Sequence, residues 1–178
     1  MIAPDLASVR SDHRAQIVAR FVSEVRREEL SPPGVERSLL VDHIPRFLDE
    51  VTAELARVEA ARMSLEAIDT SKTARRHGEQ RWSLGYDLEA LVREYGVLRH
   101  CILQMAKEAG ASVSIDEFDL LATCLSVGVA EAATEYIKHR DEQLDAEKAH
   151  LEFLAEAGQL LTSSLDYRST RLTSSSPT

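Results

Sequence analysis

Few residues in this chain are placed to do chemistry. His77 and Arg81 stand four apart in His77-Gly78-Glu79-Gln80-Arg81-Trp82. On a helix that spacing puts an imidazole and a guanidinium on one face. Such a pair could hold a small anion or turn a histidine toward haem; the plainer reading is a polar helix face. Arg99 is the next candidate. On a helical wheel it falls inside the apolar arc of Leu91, Tyr95, Leu98 and Ile102. A guanidinium there needs a carboxylate or several carbonyls, either in a structural ion pair or in a ligand contact. His100 adjoins Cys101, but adjacent helical residues point about 100° apart, which makes a poor metal site. No metal ligand set is expected.

His139 and His150 raise a different chemistry, because phospho-acceptor histidines sit on dimerisation helices. Neither is followed by the acidic-Leu-x-x-Pro run that marks such an acceptor, so both read as solvated helix positions. The chain contains no Gly-rich phosphate loop, no GxSxG, no HExxH and no kinase nucleotide-binding boxes. No catalytic residue and no cofactor are expected, and the chain is read as a non-enzyme.

The elements that position these residues are helices. Leu6, Ile17, Val18, Phe21, Val22 and Val25 share one face, and Ser31-Pro32-Pro33-Gly34 is a strong stop. Leu39, Leu40, Ile44, Phe47, Leu48, Val51, Leu55 and Val58 recur at three and four. Pro45 interrupts them, which fits a new helix capped by Asp42 with the proline in its first turn. After the polar run 69–73 comes a short helix over about 74–82, then a loop at 83–86 with Asp87 as the next cap. Leu88, Leu91, Val92, Tyr95, Leu98, Ile102 and Met105 form the clearest stripe, closed by Gly110. Ser114-Ile115-Asp116-Glu117 reads as a capping box.

From Ile115 to Leu165 there is no proline. At about 1.5 Å per residue, a helix of that length spans some 75 Å and outruns a small globule. Its second half carries Ile137, Leu144, Leu151, Gly158 and Leu165 every seven residues, with Leu154 and Leu161 in the alternate position and Arg140 and Glu147 before them. That is the pattern of a coiled coil. The expected architecture is all-α, with a helical input domain over 1–134, a coiled-coil helix over 135–166 and a disordered tail over 167–178.

Composition narrows the partners. The formal net charge of the 178 residues is -9, so neither nucleic acid nor an anionic membrane is an expected partner. Cys101 and Cys124 form no CxxC pair and suit buried thiols in a reducing compartment. No leader-like segment opens the chain, and no run approaches the roughly 18 consecutive apolar residues that cross a bilayer. A cytoplasmic protein is expected.

Three motifs carry a family resemblance. Leu40-Val41-Asp42-His43-Ile44-Pro45-Arg46-Phe47-Leu48-Asp49-Glu50 is the first. His77-Gly78-x-x-Arg81, followed by Gly85-Tyr86-Asp87-Leu88, is the second. Leu91-Val92-Arg93-Glu94-Tyr95-x-x-Leu98-Arg99 is the third. In this order and spacing, across about 16–140, the chain resembles the N-terminal domain family of the RsbT co-antagonist protein RsbRD. The resemblance implies a globin-like helical bundle that holds no haem. It also implies a role as the input domain of stressosome-type regulators and bacterial hybrid sensor histidine kinases. The family-matching polar positions, and so the ligand or regulatory candidates, are His43, His77, Arg81, Tyr86, Tyr95 and Arg99. The run from Phe153 to Tyr167 looks like the helix that opens a GAF or PAS domain, which makes the chain, on this expectation, an input module severed from its effector.

The resulting expectation is a non-catalytic signal-input domain acting as a parallel homodimer. Its seam would be Ile137, Leu144, Leu151, Leu154, Leu161 and Leu165, and its output would go to a downstream signalling domain or protein. The rival expectation is a globin-like sensor that binds haem or a small metabolite near His77 or His100.

Overall fold

A computed structural model describes residues 5–41, 43–61 and 71–173; within these, no side chain is described at 7, 54–61, 71 or 162–173. Every regular element among the described residues is α-helical. They are α1 (Leu6–Asp12), α2 (Arg14–Arg27), α3 (Arg37–Val41), α4 (Ile44–Ala61), α5 (Ser71–Ser83), α6 (Leu88–Glu108) and α7 (Ile115–Thr173). The chain divides into two compact units, Met1–His139 and Arg140–Thr178.

Local chemistry explains most of the boundaries. Asp5 caps α1 by accepting the Ser8 N–H at 2.7 Å. The first apolar face is carried by two helices, because His13 ends α1 by donating to the Val9 carbonyl and starts α2 by accepting from Ile17. Past Arg27 the chain reverses through Glu29 at φ 53, and the Leu30 N–H returns to the Val25 carbonyl at 3.0 Å. That is the wrap-around hydrogen bond of a Schellman ending. Pro45 occupies the first turn of α4, where no backbone donor is lost; its expected cap, Asp42, lies outside the described residues. Asp87 caps α6 through the Ala90 N–H at 2.6 Å.

The capping box at the start of α7 is complete. The Glu117 carboxylate accepts the Ser114 N–H at 2.8 Å, and the Ser114 hydroxyl accepts the Glu117 N–H at 3.2 Å. The other Glu117 oxygen accepts the Leu6 N–H at 2.8 Å, so one side chain anchors two helix starts.

The core of the first unit draws on all these helices. Ile17, Phe21 and Val25 of α2, Phe47, Leu48 and Val51 of α4, Leu91, Leu98 and Ile102 of α6, and Leu121, Cys124 and Ala132 of α7 are buried together. Both cysteines are buried and free. Within Ile115–Leu161, α7 contains a window long and apolar enough by composition to cross a membrane. Much of its apolar content goes into the core, through Leu120, Leu121, Cys124, Leu125 and Ala132.

Among its described residues, the second unit is helix alone. Described side chains from Arg140 to Leu161 are exposed except Ala157. Leu144, Leu151, Leu154 and Leu161 stand 55%, 65%, 51% and 66% exposed. Ile137, expected at the head of this seam, belongs to the first unit and packs partly buried against the core. The Leu165 side chain is outside the described set. The helix runs on to Thr173, past the expected limit at 166; residues 174–178 of the expected tail are not described.

Candidate functional site: a buried carboxylate shared by a histidine and an arginine

Helix α5 delivers His77 and Arg81 from one face, one turn apart, into the interior: His77 is 4% exposed and Arg81 0%. Two buried bases need an acid, and α6 supplies it. Glu94, 1% exposed, accepts from Arg81 Nε at 2.7 Å and from His77 Nε2 at 3.0 Å, both on Oε2. The remaining guanidinium donors reach the α3 backbone. Nη1 donates to the Leu39 carbonyl at 3.1 Å and to Gln80 Oε1 at 2.9 Å, and Nη2 to the Leu40 carbonyl at 3.2 Å. The Tyr86 ring lies 4.8 Å from the guanidinium carbon, in cation–π range. Arg81 therefore ties α3, α5 and α6 together.

The charges in this cluster compensate each other. Burial pushes the His77 imidazole below its usual value, and the Arg81 charge adds to that against the pull of Glu94. His77 is thus held neutral, with Nε2–H as the donor to the carboxylate. Burial works to raise the Glu94 carboxyl. The His77 hydrogen bond and the Arg81 charge outweigh it and hold the group below its usual value. The Tyr86 and Tyr95 hydroxyls are both raised, chiefly by burial and then by the Glu94 charge. Glu94 Oε1 accepts no well-aligned hydrogen bond among the described residues.

A small cavity adjoins the cluster, with His43, Phe47, Thr73, His77, Glu94 and Tyr95 among its walls. Its free space is about 10 Å³, on the scale of one water molecule. Its rings pack edge to face: His77 and Tyr95 centroids are 5.6 Å apart at 88°, Phe47 and Tyr95 5.7 Å apart at 87°. His43 meets His77 at 6.3 Å.

Two glycines bring this site against α7. A Cβ on Gly78 would lie 2.1 Å from the Ala132 carbonyl oxygen, and one on Gly128 would lie 2.8 Å from the Tyr95 ring and 3.0 Å from Phe47. Only glycine permits either approach. Nearby, the Tyr136 hydroxyl donates to the Tyr86 carbonyl at 2.8 Å, and its ring meets Trp82 at 5.2 Å.

Five of the six ligand or regulatory candidates therefore converge. His77, Arg81 and Tyr86 surround Glu94, and Tyr95 and His43 line the adjoining cavity. Arg99 does not join them: it is exposed, and its expected place in the apolar arc is corrected. The buried face of α6 is centred on Leu98 and Met105, with Val97 and Ala90 at one edge and Tyr95 and Ala106 at the other. That rotation leaves Arg99 beyond this second edge, where Val92 is also 43% exposed. His100 and His150 are exposed too, while His139 lies 3.3 Å from Glu135. Among the described residues, no three potential ligands gather as a metal site requires.

The sequence reading missed two buried charges. Glu94 sits three residues after Leu91 and four before Leu98, a spacing that places a carboxylate in the apolar stripe. Arg10 lies four after Leu6 and is 1% exposed. Its Nε donates to Thr52 Oγ1 at 3.3 Å, and burial lowers it to about 10. Compared with protein-family models, curated proteins and solved structures, the chain yields no match.

Proposed function

We propose that this chain is a non-catalytic signal-input domain of the RsbRD N-terminal kind, globin-like in its bundle, which acts on its surroundings through a dimerising α7. One observation carries the reading: the helix whose first half packs on the Glu94 cluster bears, in its later residues, a stripe of exposed leucines. A change at the cluster bears directly on α7, because Gly78 and Gly128 leave no slack between them. Packed interfaces of this kind respond in discrete steps, which suits a two-state input. Two buried free thiols and an apolar half-helix spent on the core fit a cytoplasmic protein. In this reading a downstream signalling domain or protein receives the output.

The test is assembly. Replacing Leu151 and Leu154 together with Asp should convert a dimer, measured by sedimentation, into a monomer with an unchanged thermal transition in the globule. A wild-type monomer removes the proposed output route. An unchanged dimer in the variant moves the interface elsewhere.

The cavity beside Glu94 favours a second reading, a sensor of a small polar molecule. Haem would need far more room than one water's space and would have to take His77 from Glu94. Hemin titration should therefore give no stoichiometric, histidine-ligated Soret band; such a band would establish the haem reading instead.

A further inference from the structure

We propose that Arg10 and Cys124 form an oxidation-responsive site, in which a hydroperoxide converts Cys124 to a sulfenate whose oxygen accepts from the buried guanidinium. Arg10 is a buried cation whose hydrogen bonding is incomplete. It is 1% exposed. Its Nε reaches Thr52 Oγ1 on α4 at 3.3 Å, and neither Nη1 nor Nη2 has a partner among the described residues. A charged donor buried in that state is far more costly than a neutral one. The carboxylates that act on Arg10 are engaged elsewhere. Asp5 caps α1 through the Ser8 N–H, and Glu117 holds the Leu6 and Ser114 N–H groups at 2.8 Å each.

Cys124 is the group that remains. Of the ionisable side chains around Arg10 it acts most strongly, ahead of Glu117 and Asp5. The chain path explains the meeting: the Leu6–Glu117 bond seats α1 on α7, Arg10 follows Leu6 by one turn, and Cys124 follows Glu117 by two. In the reduced protein the sulfur accepts from neither Nη atom. An oxygen on that sulfur carries an acceptor, with charge, one bond length beyond it. Cys101 is the contrast. It is equally buried, but the arginine that acts on it, Arg20, is bound through both Nη atoms to Glu108 at 2.8 and 2.7 Å. Burial and the Glu24 charge push the Cys101 thiol up to about 11.

Cys124 is 0% exposed, so it reacts from a locally opened state. Helix α1 is seven residues long, and its docking carries the two unpartnered donors. Such an element opens well below the free energy of global unfolding. The ionised Cys124 sulfur then attacks a peroxide oxygen. The S–O bond forms, the O–O bond breaks, and the departing hydroxide becomes water with the proton the thiol released. Sulfur loses an electron pair and the peroxide gains it. The sulfenic acid gives its proton to solvent and, as α1 closes, pairs with Arg10 as sulfenate.

Hydrogen peroxide tests this on the full chain. One portion of the treated protein is denatured in dimedone and mapped by mass spectrometry, and another is melted with and without dithiothreitol. The expected result is an adduct at Cys124 and none at Cys101, with a thermal midpoint raised by a few degrees. Dithiothreitol should return the midpoint to its reduced value, which oxidised methionine would not allow. In Arg10→Met the sign should reverse, because oxygen on sulfur then enters the core without a donor. A midpoint that falls in wild type when Cys124 is oxidised overturns the proposal without recourse to the variant. So does equal labelling of the two cysteines, or labelling of neither.

Discussion

Arg81 Nε lies 2.7 Å from Glu94 Oε2, and neither side chain is more than 1% exposed. Removing two charges from solvent is expensive, and the cost is recovered only when every donor finds a partner. Arg81 meets that condition through the carbonyls of Leu39 and Leu40. The pair is therefore less a source of net stability than a device that allows one packing of α3, α5 and α6.

Breaking the pair from one side should be severe. Glu94→Ala strands a buried guanidinium and should lower unfolding free energy by about 3–5 kcal/mol, measured by urea titration. His77→Ala should cost less, because the Arg81–Glu94 bond survives. A Glu94→Ala loss under 1 kcal/mol would show that water reaches the cluster.

Acid should weaken the fold in two steps. The folded His77 pKa lies below its ordinary 6.5, so as pH falls through 6.5 the unfolded chain takes up a proton that the folded chain refuses. Stability is full above that pH and declines below it. The folded Glu94 pKa lies below 4.5, so its contribution is present above 4.5 and is lost as pH falls further. His77→Gln should flatten the first decline and keep the second; an unchanged profile between pH 7.5 and 5 would refute the assignment to His77.

Gly78→Ala should disturb α7 without touching a charged group. Its Cβ would meet backbone, at 2.1 Å from the Ala132 carbonyl oxygen, so helices must part. A loss of about 1–3 kcal/mol is expected, together with a change in the near-ultraviolet dichroism of Trp82 and Tyr136. Gly96→Ala, where a Cβ meets nothing within 4 Å, is the matched control and should be neutral or stabilising.

Leu98 and Arg99 are adjacent and should behave oppositely. Leu98 is 1% exposed, and Leu98→Ala should cost about 2–5 kcal/mol. Arg99→Ala should stay within about 0.5 kcal/mol. Equal losses in the two denaturant titrations would mean that the α6 face is set differently.

The features legible in the sequence were those made by residues close together along it. Asp87 caps α6 and Ser114 with Glu117 caps α7 because each bond spans three residues. The shared face of His77 and Arg81 follows from the helical repeat alone, and so does the seven-residue recurrence of leucines after Arg140. Tertiary packing decided the rest. The repeat fixes which residues of α6 lie side by side, and it already sets Glu94 beside Leu91 and Leu98; neighbouring helices decide where the buried arc ends, which leaves Arg99 out. The partner of the His77–Arg81 pair could not be read locally, since Glu94 reaches it from another helix. Nor could the role of Gly78, a breaker in sequence terms, which only the approach of the Ala132 backbone turns into a requirement.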